Sequence, residues 1–182
     1  MRPIQGWALT LLLVACAACA SVRVNVDFDP NEDFSTYQTF TWFPRPQKET
    51  GDYRIDNPLL DRRIRTAVER ELAARGYRKV EDRAPDFYVA YHLQFEQKLD
   101  VRTVNRGYYD AWGYYVGWPE TQVTQYDEGS LVIDVANARD KQLVWRGVAV
   151  GRVRTRPKPE QTTQDVNEAV AHILAKFPPE TK

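Results

Sequence analysis

Cysteine occurs twice in this chain, as Cys16 and Cys19, and nowhere after residue 19. That absence excludes an intrachain disulfide and a cysteine–zinc cluster from the body of the protein, so its stability has to come from packing. Histidine is equally scarce: His92 and His172 are the only two, with no HExxH pair or cluster to make either a metal ligand. His92 reads as a polar-face residue of a strand, and His172 as a flank of the last helix's apolar stripe. Neither sign of charge is in excess, since Lys plus Arg and Asp plus Glu number 25 each. Such balance gives no concentrated basic footprint and argues against nucleic-acid binding. A long hydrophobic run is missing too. The stretch from Trp7 to Ala15 is too short to cross a hydrocarbon core of ~30 Å, which takes roughly 20 apolar residues.

What the N-terminus does have is a basic residue, a short apolar run and then small residues ending on cysteine, which reads as a secretory signal of the lipoprotein type. Two cleavage points compete. Leu13-Val14-Ala15-Cys16 has the better lipobox, with cleavage after residue 15. Cys19 gives a leader of more ordinary length, residues 1–18, and Ala18-Cys19-Ala20 also resembles an ordinary small-residue cleavage site. Neither cysteine is followed by aspartate, the residue that retains Gram-negative lipoproteins at the inner membrane. The expectation is therefore an anchor of palmitate-type acyl chains in the bacterial outer membrane, with the body facing the periplasm. Each buried methylene of such chains contributes about 0.8 kcal/mol, and several chains act together.

Residues 19–182 read as one α+β domain. Val22, Val24 and Val26 alternate with polar residues as a half-buried strand, and Thr39 to Phe43 form a second. Asn57 caps a helix that opens on Pro58 and closes at Gly76, with Leu60, Ile64, Ala67, Val68 and Leu72 on its apolar face. Tyr77 to Val80 suggest a brief strand. The longest alternation follows: Phe87, Val89, Tyr91, Leu93, Phe95, Leu99, Val101 and Thr103 share one parity, which predicts a strand with that whole face on the core. Gly129 is expected to interrupt the next strand, whose core residues are Leu131, Ile133 and Val135; Leu143 to Val153 return. Within the returning strand, Gly147 and Gly151 share the parity of Trp145, which predicts a packing role, through close approach of a helix or a local bulge. Thr162 and Asp165 have capping-box spacing ahead of a helix with the stripe Val166, Ala169, Val170, Ile173, Leu174 and Phe177. The fold class that follows is an antiparallel β-sheet with two helices packed on one face, a two-layer sandwich.

One segment exceeds what a hairpin needs. Residues 107–118 hold six aromatics, Tyr108, Tyr109, Trp112, Tyr114, Tyr115 and Trp118, and three glycines. They suit an adaptable binding loop for an envelope protein, a cell-wall polymer or the lipid interface, because Tyr and Trp combine large apolar area with a polar handle. They equally suit a glycine-rich hairpin whose rings stack across its own strands. Catalytic patterns are weak by comparison. Glu96, Asp100, Asp127 and Asp134 read as a solvated sheet face, and Ser130 lacks the nucleophile-elbow pattern. The run Arg152, Arg154, Arg156, Lys158 reads as a solvated strand end and linker.

Assembled in order, several segments resemble the bacterial lipoproteins grouped as domain-of-unknown-function family 4136. They are Phe34 to Trp42, Asn57-Pro58-Leu59, Ala84 to Tyr91, Gly129 to Asp134 and Leu143 to Gly147. The resemblance covers nearly the whole mature chain. It implies a periplasm-facing lipoprotein with a compact α+β body, with Tyr37, Trp42 and Trp145 in the core, and brings no catalytic residue, cofactor or substrate with it. Its usual cysteine-alanine-serine start favours Cys19-Ala20-Ser21, which makes the two cysteines equal candidates. The functional expectation is a non-enzymatic envelope lipoprotein that binds a protein or cell-wall polymer. The alternative is a small-ligand or lipid-binding module with an apolar recess between helices and sheet; a hydrolase is the remaining class. Replacing both cysteines, Cys16→Ala with Cys19→Ala, is expected to abolish acylation and release the exported body. Single substitutions identify the acceptor, and an intact mass without acyl chains on the native protein overturns the lipoprotein assignment.

Overall fold

The computed structural model describes residues 22–44, 50–109 and 111–180; the two cysteines lie outside them. Six strands and two helices follow in the order β1 (Arg23–Phe28), β2 (Thr39–Trp42), α1 (Pro58–Ala74), β3 (Arg78–Lys79), β4 (Phe87–Tyr109), β5 (Tyr115–Asn137), β6 (Leu143–Arg152) and α2 (Pro159–Leu174). A single 3-10 turn, Phe34–Thr36, joins β1 to β2. The sheet order is β1-β6-β5-β4-β2-β3. Its β1-β6-β5-β4 portion is antiparallel, as the meander reading expects, whereas β2 runs parallel to both β4 and β3. That parallel corner follows from connectivity, because α1 carries the chain back across the sheet between β2 and β3.

Local chemistry sets the helix ends. Asn57 Oδ1 accepts from the Leu59 N–H at 2.9 Å, satisfying one of the donors that a helix start leaves open. At the other end Gly76 takes φ +91°, and the N–H groups of Gly76 and Tyr77 return to the carbonyls of Ala73 and Leu72 at 3.0 and 3.1 Å. This is a Schellman closure, and only a residue without Cβ adopts that φ cheaply. The start of α2 departs from expectation. Thr162 and Asp165 already lie inside the helix; the cap is Lys158, whose N–H donates to Gln161 Oε1 at 2.8 Å. Lysine has no side-chain acceptor, so only this backward half of a capping box forms.

The core lies between the helices and one face of the sheet. Register places Phe87, Val89 and Tyr91 of β4, Leu131, Ile133 and Val135 of β5, and Trp145, Gly147 and Ala149 of β6 on that face. All of these but the glycine are buried hydrophobics, against Ile64, Ala67, Val68 and Leu72 of α1 and Val170, Ile173 and Leu174 of α2. Each fully buried aliphatic side chain contributes about 1.5–3 kcal/mol. Rings fill the interlayer space, with Phe177 5.2 Å from Trp145, 5.7 Å from Phe87 and 5.5 Å from Tyr77 between centroids. The Trp145 indole N–H is buried with no hydrogen-bond partner, so that residue is held by shape alone. Tyr37 is buried as well, and Trp42 is partly buried on the core's edge.

Polar side chains at the rim tie α1 to the sheet. Tyr91 donates to Asp61 at 2.7 Å, Trp42 Nε1 to Glu69 at 2.7 Å, and Arg65 stacks 4.4 Å from the Trp42 ring. At the parallel corner, Asp86 Oδ2 accepts from the N–H groups of Gln38 and Thr39 at 3.0 and 2.8 Å and from the Thr39 hydroxyl at 2.8 Å. Burial by itself pushes the Asp86 pKa up, but these donors outweigh it and hold the carboxyl below its ordinary range.

Three glycines set close approaches or fail to. A Cβ on Gly147 meets the Trp145 indole and lies 2.5 Å from Ile173 Cγ2, so the α2 approach is as tight as expected there. Gly151 does not share it: its nearest neighbour is Val22 Cγ2 at 3.6 Å, because α2 does not reach that end of β6. Gly129 leaves β5 unbroken, contrary to expectation. The Phe95 ring from the neighbouring strand lies over it, 3.0 Å from the point a Cβ would occupy, and replaces the missing side chain in the sheet.

Gly147→Val is expected to destabilise the fold by about 1–3 kcal/mol through overpacking. Thermal unfolding unchanged by the substitution contradicts that placement. Asp86 gives a test with a sign. A carboxyl with a lowered folded pKa contributes stability in full above its unfolded value of about 3.9 and loses it as pH falls through the folded value. The melting difference between wild type and Asp86→Asn is therefore expected to be largest near neutrality and to shrink on acidification.

Candidate functional site

Both β4 and β5 are 23 residues long, but the third strand beside them is short. β6 pairs with β5 only over Glu128 to Ala136, and β2 with β4 only over Phe87 to Val89. The β4–β5 pairing nevertheless continues without a break from Glu96↔Glu128 to Tyr109↔Tyr115. The result is a two-stranded arm about 45 Å long, at ~3.4 Å per residue, projecting from the end of the sheet. This corrects the reading of the long alternation as core throughout. Leu99, Val101 and Val123 are 66%, 60% and 60% exposed.

The arm has two unlike faces. One carries an ion-pair ladder: Lys98–Glu96 at 2.6 Å, Arg102–Asp100 at 2.9 Å and Arg106–Glu120 at 2.7 Å. The other presents the cross-strand pairs Leu99↔Gln125, Val101↔Val123, Thr103↔Thr121, Asn105↔Pro119, Gly107↔Gly117 and Tyr109↔Tyr115. No charged residue occurs among them. An isolated two-stranded ribbon is marginal in water, and these cross-strand contacts are what supports it.

At the tip the six aromatics divide. The Tyr115 ring covers the paired glycines, 2.6 Å from a Cβ on either Gly107 or Gly117, and meets Tyr109 edge-on at 5.5 Å. Two of the three glycines thus serve the hairpin's own packing. Gly113, at φ +81°, serves the turn. Tyr108, Trp112, Tyr114 and Trp118 nevertheless remain exposed, Trp112 at 86%, and even Tyr109 is 73% exposed. The tip is an apolar surface on a support that the core does not need.

The sheet face away from the helices is the second exposed surface. At its centre Arg146 donates to both Asp134 oxygens, at 2.7 and 2.8 Å, and His92 Nε2 lies 3.5 Å from Asp134. The bidentate carboxylate raises the Arg146 pKa. Asp134 is thereby spent as an acceptor. Glu96 and Asp100 share this face and are engaged by Lys98 and by Arg102 and Arg152. Asp127 does not belong here. Its parity is that of Gly129, and it faces Arg54 at 3.4 Å, which itself lies 4.9 Å over Phe95. The basic run is partly committed: Arg152 stacks 3.9 Å over Tyr126 and Arg154 pairs with Asp165 at 3.1 Å. Among the described residues no group of three or more His, Cys, Asp or Glu is placed to hold a metal. Where the arm leaves the sheet, an open depression of about 310 Å³ is lined by Arg23, Tyr126, Glu128, Val150, Gly151 and Arg152.

A family described as Domain of unknown function (DUF4136) has a model that matches residues 24–179. The chain belongs to this family. No curated protein matches the DUF4136 chain in sequence. Among solved structures, a PDZ domain protein from Parabacteroides distasonis ATCC 8503 is similar with a TM-score of 0.53 at 14% identity, over 88% of this chain and 36% of that one. That likeness shows the fold, over little more than a third of the other protein. Two PelC dodecamer structures from Paraburkholderia phytofirmans give a TM-score of 0.47 at 8% and 9% identity, over 85% of this chain and 95% and 96% of theirs.

Proposed function

We propose that this DUF4136 protein is a non-enzymatic component of the bacterial cell envelope, lipid-anchored through Cys19 or Cys16 in the outer membrane and facing the periplasm. The arm is its contact element with the envelope, and the exposed sheet face is the surface it offers to a protein or cell-wall polymer. One observation supports this above the others: a row of exposed aromatics held some 45 Å, about 13 strand residues, beyond the sheet by a ribbon that adds nothing to the core. Catalysis has no comparable support, because Asp134 is buried and taken up by Arg146, and Glu96 and Asp100 are paired with Lys98 and with Arg102 and Arg152. A ligand recess between the layers has none either, since Trp145, Phe87, Phe177 and the helix aliphatics occupy that space.

In cells, a photo-cross-linking amino acid at Tyr114 is expected to capture envelope material, whether lipid, polymer or protein, that the same amino acid at exposed Leu59 on α1 does not. Identical adducts from the two positions, in a protein whose melting is unchanged, overturn the arm as a contact element.

A further inference from the structure

The chain enters the sheet at the same end from which the arm leaves it. Arg23 pairs with Val150 in register, and its guanidinium lies 3.3 Å from Glu128 Oε2, the level at which β5 becomes part of the arm. Covalent geometry then limits where an N-terminal anchor sits. At ~3.5 Å per residue, Cys19 lies within about 14 Å of Arg23, and Cys16 within about 25 Å. The arm, at about 45 Å, is longer than either tether. A bilayer holding the acyl chains therefore lies within the arm's reach.

The chemistry of the arm agrees with that position. From Gln97 to Tyr109 on β4 and from Tyr115 to Gln125 on β5, one face carries only Gln, Leu, Val, Thr, Asn, Gly, Pro and Tyr. The charges of the opposite face are paired along the ribbon and need no partner from outside. Tyrosine and tryptophan are the side chains that settle at the boundary between headgroups and acyl chains, with ring in one and polar atom in the other.

We infer that the arm lies against the same bilayer that carries the anchor, its uncharged face toward lipid and its aromatic tip in the headgroup–acyl boundary. This rests on the lipid-anchored reading proposed above. Acyl chains and arm then act as two membrane contacts, which fix the body's orientation as well as its attachment. The partner-binding sheet face is turned by the same geometry away from a free-tumbling arrangement into a set one.

The natively processed full-length protein, reconstituted into phosphatidylethanolamine–phosphatidylglycerol vesicles with brominated acyl chains, provides the test. Intact mass and vesicle flotation report the anchor; quenching of tryptophan emission reports the tip. Trp145 is buried, Trp42 is packed on Glu69 and Arg65, and Trp118, paired with Arg106, lies on the charged face, so lipid quenching is expected from Trp112 at the turn. It should be lost in a Trp112→Ser variant with unchanged circular dichroism and flotation. An acylated, floating protein with unquenched tryptophans overturns the inference while leaving the anchor standing. A protein without acyl mass overturns the anchor reading and this inference together. A tryptophan change that follows protein concentration in the absence of vesicles assigns the face to a second copy of the chain and also overturns it.

Discussion

A helix advances about 1.5 Å per residue and a strand about 3.3 Å, and much of this molecule follows from that ratio. The 17 residues of α1 and the 16 of α2 each span roughly 25 Å, enough to cover seven or eight residues of a strand. The covered stretch of β4 and β5 runs from Phe87 to Leu93 and from Leu131 to Asn137. Beyond it the strands have outrun their roof. The same alternating pattern that is core under the helices becomes, outside them, an amphipathic ribbon in the open.

Within the covered zone the fold is fixed by a small number of backbone demands. Gly147 admits the Trp145 indole and Ile173, Gly76 closes α1, Gly129 lies under Phe95, and Asp86 clamps the parallel corner at Thr39. Gly147, Trp145, Gly129, Asp86 and Thr39 recur in the segments by which the chain resembles its family; Gly76, Phe95 and Ile173 do not. The resemblance is thus carried largely by residues whose environment permits few substitutes, rather than by anything placed for chemistry.

Much of this is legible in the residues. The stripe of α1, its Asn57-Pro58 start and the parity of β4, β5 and β6 are local patterns, and local patterns survive into the structure. The exposed stretch of the arm is not legible in the same way, because Leu99, Val101 and Val123 alternate with polar residues just as Val89 and Tyr91 do; alternation reports a two-faced strand and says nothing about what covers either face. Strand length carries the missing signal. A run reaching from Phe87 past Thr103 exceeds what two helices of four to five turns can cover. The cap of α2 is hidden for a different reason, since Thr162 has the right chemistry and Lys158 the right position, with Pro159 fixing the first helical residue. Asp127 turns to the opposite face from the one expected because β5 runs through Gly129 without a break, so parity carries across it.

β1 joins the sheet only through β6, by six antiparallel pairs from Arg23↔Val150 to Phe28↔Trp145. A pull from the N-terminal side that runs parallel to β1 loads the six pairs in shear, all at once. A pull across the strand would open them singly, like a zipper. An edge strand is ordinarily the weakest place to fasten a domain; entered in this direction, it is a lap joint.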